Sequence, residues 1–102
     1  MKTYDKSDVV AIATECGFDL STSWSGPGPV WPLIAMMMTN GATVVIKLDG
    51  QRQPDEGDNG NYTVIAQGGP LEGDMIRGDF EDLDQSLCYL IGNYFEISNS
   101  RT

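Results

Sequence analysis

The stretch "GPGPVWPLIAMMMTNGATVV", residues 26–45, decides the fold because it reads in two ways. As a β-hairpin, Asn40 and Gly41 would supply a two-residue turn, a strong local signal where strands flank it. As a helix, Pro32 falls in the first turn, where its missing N–H costs nothing, and Gly41 ends the element. Trp31, Ile34, Ala35 and Met38 then share one face. Proline inside a strand removes a ladder hydrogen bond, and the run Met36 to Met38 has little strand preference. The helix over residues 31–40 is therefore favoured, with the strand as its competitor.

Downstream, "ATVVIKL" (42–48) reads as a buried strand, β-branched and carrying only Lys47 as a charge. "NYTVIAQ" (61–67) is its expected antiparallel partner, because the connection from Asp49 to Gly60 is long, polar and rich in turn residues. In "DMIRGDF" (74–80), Met75, Arg77 and Asp79 alternate with Ile76, Gly78 and Phe80, which predicts a short edge strand. "FEDLDQSLCYLIGNYFE" (80–96) places Leu83, Leu87, Leu90, Ile91, Tyr94 and Phe95 on one helical stripe. Asp79, Glu81, Asp82 and Asp84 crowd its start, where the helix dipole favours negative charge, and Asp79 is the expected cap.

Upstream, "YDKSDVVAIATECGF" (4–18) predicts a helix capped by Asp5 or Ser7 and closed at Gly17, with Val9, Ile12, Ala13 and Cys16 on its apolar face. The order is α-α-β-β-β-α. It predicts a two-layer α+β domain in which two or three helices cover a small antiparallel sheet of two to three strands.

A chain of 102 residues, 40% of them apolar, is expected to form one compact domain over 1–102. The longest uncharged apolar stretch, 24–42, is interrupted by Gly26, Pro27, Gly28, Pro29 and Pro32 and is too broken to cross a bilayer. The opening "MKTYDKSDVV" has no apolar run of the export type, so cytoplasmic residence is expected. Cys16 and Cys88 then read as reduced, buried thiols, a disulfide between them being the alternative.

Histidine is absent, which removes the commonest general base and the commonest metal ligand at neutral pH. A serine or cysteine nucleophile would need an unusual base, and the carboxylates sit in loops and at a helix start with no evident cleft. "GPGP" and "QGGP" lack the spacing and lysine of a phosphate loop. Two distant cysteines do not make a zinc site. No enzymatic activity and no cofactor are expected.

Three other motifs have ordinary explanations. "DEGDNGN" (55–61) carries oxygen ligands but misses the EF-hand register, and Gly, Asp and Asn there suit a solvated turn. Arg77, Gly78 and Asp79 spell the tripeptide read by integrins, but alternate through the third strand. A helix-turn-helix fails because "LSTSWSGPGP" supplies no recognition helix and the net charge of −9 has the wrong sign for DNA. Of the two tryptophans, Trp31 is expected in the core, and Trp24 is open to a binding role.

The charge is lopsided. Residues 49–84 hold ten carboxylates against Arg52 and Arg77, a local balance of −8 within the total of −9. Unmixed charge of this kind repels itself. Were these groups to converge at one end of the sheet, they would form an anionic face, with Asp55, Glu56, Asp58, Glu72, Asp74, Asp79, Glu81, Asp82, Asp84 and Trp24 as candidate partner-binding residues. Such a face competes for the Lys and Arg of a phosphate-binding surface. The expected function is a noncatalytic inhibitor of toxin-immunity or phage anti-defence type (anti-CRISPR or anti-restriction). Its partner would be a basic protein, a nuclease toxin or a nucleic-acid-binding effector, with neither nucleic acid nor membrane bound directly. The alternative is a structural, self-associating homodimer whose acids only confer solubility.

Overall fold

A computed structural model describes residues 1–51 and 60–100. Among them the elements run α1 (Lys6–Glu15), α2 (Pro27–Thr39), β1 (Ala42–Leu48), β2 (Tyr62–Gly68), a 3₁₀ turn (Gly69–Leu71), β3 (Met75–Phe80) and α3 (Leu83–Ser100). This is the α-α-β-β-β-α order, and the ambiguous stretch is a helix. Pro27 and Pro29 lie in its first turn, and Pro32, expected there, lies in the helix interior because the helix begins already at Pro27. Gly41, at φ +97°, closes it with its N–H on the Met38 carbonyl at 2.9 Å.

The sheet is an antiparallel meander, β1-β2-β3. Ala42 faces Gly68 and Leu48 faces Tyr62 across the first pair; Gln67 faces Met75 and Tyr62 faces Phe80 across the second. Alternation sends Val44, Ile46, Val64, Ala66 and Ile76 toward the helices, and Thr43, Val45, Ile65, Arg77 and Asp79 to the open face. β3 is an edge strand as expected. β1 is the opposite edge, not a buried strand: Val45 is 44% and Leu48 67% exposed. A β-branched run states a preference for sheet, and says nothing of how many neighbours the strand will have.

α3 packs across β2 and β3, and α1 lies on its back. That second cover explains why burial exceeds the expected stripe, taking in Ser86, Cys88, Gly92 and Asn93 as well. Gly92 admits the Tyr4 ring: a Cβ there would stand 2.1 Å from Tyr4 Cγ. Asn93 clamps the same segment, accepting the Lys2 N–H at 3.1 Å and donating to the Lys2 carbonyl at 2.9 Å. The Tyr4 hydroxyl donates to Glu96, and burial together with that bond pushes its pKa up to about 12.

α1 is capped by Asp5 through a reciprocal box, Asp8 N–H to Asp5 and Asp5 N–H to Asp8, both at 2.9 Å. α3 is capped by Asp82, which accepts the Gln85 N–H at 2.9 Å. Asp79 is not the cap: it lies in β3, four residues before the helix begins. Cys16 is half-buried and Cys88 buried, both as free thiols. Burial, reinforced by Asp84, pushes the Cys88 pKa up to about 11. Among the described residues no helix is long and apolar enough to cross a membrane.

Candidate protein-docking site

The expected acidic face divides. In a meander, successive connections lie at opposite ends of the sheet. Asp49, Glu81 and Asp82 follow β1 and β3 at one end; Glu72 and Asp74, between β2 and β3, lie at the other, roughly 20 Å away for strands of this length. Asp55, Glu56 and Asp58, with the loop once weighed for calcium, lie outside the described residues. Among the described residues no group of three or more acidic or cysteine side chains is placed to hold a metal ion.

Several of these carboxylates hold the fold together. Asp84 accepts the Gly26 N–H, the Ser25 hydroxyl and the Lys6 ammonium, each at 2.8 Å, so it ties the start of α3 to the starts of α2 and α1. Burial raises its pKa, but these three donors outweigh that and hold it below the ordinary value. Asp79 accepts the Thr63 hydroxyl at 2.5 Å and Arg77 at 3.1 Å on the open face. The Thr63 bond is the largest cause of its lowered pKa. Arg77 and Asp79 thus pair with each other across Gly78. Asp49 lies 3.7 Å from Lys47.

The tryptophans exchange roles. Trp24 is only 3% exposed, with the Lys6 ammonium 5.2 Å above its ring and its indole N–H 3.4 Å from the Lys6 carbonyl. Lys6 also donates to the Trp24 carbonyl at 2.7 Å. Trp24 therefore has no face left to offer a partner. Trp31, expected in the core, is 60% exposed, because α2 turns Val30, Leu33, Ile34 and Met37 inward instead.

The stripe Trp31, Ile34, Ala35 and Met38 instead roofs a slot of about 450 Å³ floored by Ala42, Thr43, Val44 and Ile46. Met38 is 66% exposed at the end opposite Trp31. The slot wraps the edge of β1, since Thr43 points to the open face and Val44 to the helices. The Asp49 N–H donates to the Asn61 carbonyl at 2.7 Å. By antiparallel alternation, the backbone groups of Thr43, Val45 and Lys47 then point to β2. Those of Val44, Ile46 and Leu48 point outward, along the edge beside the slot. Neither charge nor a cluster of polar side chains lines this cavity, so it can offer apolar contact and main-chain hydrogen bonds, and no acid–base chemistry. Sequence reasoning found the stripe and missed that Ile34 is buried while Trp31 and Met38, at its two ends, stand exposed; no local signal in the sequence separates them. No protein-family model, curated protein or solved structure matches the chain.

Proposed function

We propose that the chain is a noncatalytic, inhibitor-type protein-binding domain, of toxin-immunity or phage anti-defence kind, which occludes a basic surface of a nucleic-acid-processing enzyme. The observation that carries this reading is an apolar slot beside a strand edge that is unpaired among the described residues, on a chain of net charge −9. An uncovered apolar surface with hydrogen-bonding backbone at its rim suits a protein partner, and the surrounding negative charge selects a basic one. The division of the acids narrows the original face to Asp49, Glu81 and Asp82 at one end of the sheet, with Asp55, Glu56 and Asp58 as candidates in the connecting segment.

The test is capture of a host protein by the full chain at low and moderate salt, followed by an activity assay of what is captured. A basic nucleic-acid enzyme, silenced by a stoichiometric amount of the chain and released as salt rises, supports the reading. A partner with no nucleic-acid activity, or one indifferent to salt, overturns it. Reversal of Asp55, Glu56 and Asp58 to lysine is expected to preserve folding and abolish binding. The exposure of Trp31 and Met38 favours a second reading, self-association through the same surface. That reading requires a dimer by light scattering that persists at high salt and dissociates in Trp31→Lys.

A further inference from the structure

We infer that the slot between α2 and the β1 edge takes a single extended segment of the partner, added to the sheet as a fourth strand, with alternate apolar residues under α2 and Lys or Arg at its ends. This rests on the reading of the chain as the binder of a basic protein, and gives that binding its geometry.

Dimensions come first. A helix with its side chains is about 10 Å across, which spans roughly two strands spaced about 4.8 Å apart. α3 covers two strands, β2 and β3, whereas α2 packs chiefly on β1 among the strands, with α3 at its side. Its outer stripe therefore overhangs the place of one missing strand. A segment there would bond to the outward N–H and C=O groups of Val44, Ile46 and Leu48. Residues opposite Val44 and Ile46 would point, like Val44 and Ile46 themselves, under Trp31, Ile34, Ala35 and Met38. An apolar-x-apolar pattern is thus required of the incoming chain.

Charge sets its ends. Asp49 follows the last residue of β1, and Asp74 shares with Thr43 the cavity at the start of that strand. An extended segment of about seven residues therefore finishes at one end beside Asp49, itself 3.7 Å from Lys47, on a molecule whose total charge of −9 repels acidic chains. Its other end lies at the same end of the sheet as Asp74, which precedes β3 on the far side of β2.

A second copy fits less well. Pairing β1 with its own twin would bring two α2 helices, each about 10 Å across, over two strands about 4.8 Å apart, and would join two surfaces of charge −9. A small molecule would find no polar side chains converging to orient it.

The test is selection from a random twelve-residue peptide library displayed on phage, against the full-length chain, with two variants as controls. Val44→Pro removes an outward N–H that no strand among the described residues uses, and proline is tolerated at such edge positions. Trp31→Lys alters an exposed roof residue. Both are checked for native circular dichroism and melting. Enriched peptides are expected to alternate apolar residues between basic ends and to lose at least about tenfold in affinity for each variant. Basic peptides that bind both variants unchanged would overturn the fourth strand while leaving the basic-partner reading standing. Alternating peptides without basic ends that depend on Val44 and Trp31 would overturn the basic-partner reading, and the basic ends inferred from it. No enrichment overturns both, as does a dimer that Val44→Pro converts to monomer, since a second copy then fills the slot.

Discussion

α2 and α3 both carry apolar stripes at helical spacing, and the two stripes meet opposite fates. α3 has the sheet beneath it and α1 with the N-terminal segment behind it, so residues far outside its stripe are buried. α2 has one strand beneath part of its surface, and Trp31 and Met38 stand in the open. The periodicity of a helix defines which residues travel together; the neighbours across from them decide whether that group becomes core or contact surface. Conformational stability therefore concentrates around α3, and the capacity for binding around α2 and β1.

Substitutions can break this contrast, and their expected effects are graded. Truncation at α3 comes first: Leu87→Ala or Ile91→Ala removes a fully buried side chain and is expected to cost about 2 to 5 kcal/mol in chemical denaturation. Gly92→Ala comes next. Its Cβ would overlap the Tyr4 ring, so the first residues must shift, at about 1 to 3 kcal/mol, and the rise in the Tyr4 pKa to about 12 should shrink in a spectrophotometric titration.

Asp84→Asn loses the Lys6 ion pair and one of the two carboxylate oxygens, keeping a single acceptor for Gly26 and none for the Ser25 hydroxyl, at about 1 to 2 kcal/mol near neutral pH. The sign follows from a folded pKa lying below the ordinary 3.8. The Asp84 contribution is complete above that value and is lost as pH falls through the lower folded one. The gap between wild type and variant should accordingly close in denaturation curves recorded through the acid range. Smallest is Trp31→Ala, expected to change stability by no more than about 0.5 kcal/mol, since most of the ring already meets water. A loss at Trp31 as large as that at Leu87 would erase the distinction between the two helices.

Much of this was readable from local chemistry. A glycine after a last turn and alternation through Met75 to Phe80 are short-range signals that hold, whereas Pro32 marked the helix without marking its first turn, which Pro27 and Pro29 occupy. What resisted reading was long-range. Trp24 is buried because Lys6, eighteen residues earlier, closes over it, and Asp84 is a structural tie because α1 and α2 begin beside it. Neither spacing nor composition carries such pairings. The division of the acids is different, since the antiparallel order alone already sends the connections before and after β2 to opposite ends. That consequence was available in the sequence and contradicts convergence of Glu72 and Asp74 with the start of α3.

The alternation of backbone groups along β1 leaves a signature in deuterium uptake. Amides at Thr43, Val45 and Lys47 are locked against β2 and should exchange slowly, while those at Val44, Ile46 and Leu48 face solvent and should exchange fast, a comb with every second tooth missing. Whatever settles against that edge must fill the gaps in the comb, so the molecule carries its own residue-by-residue gauge of occupancy.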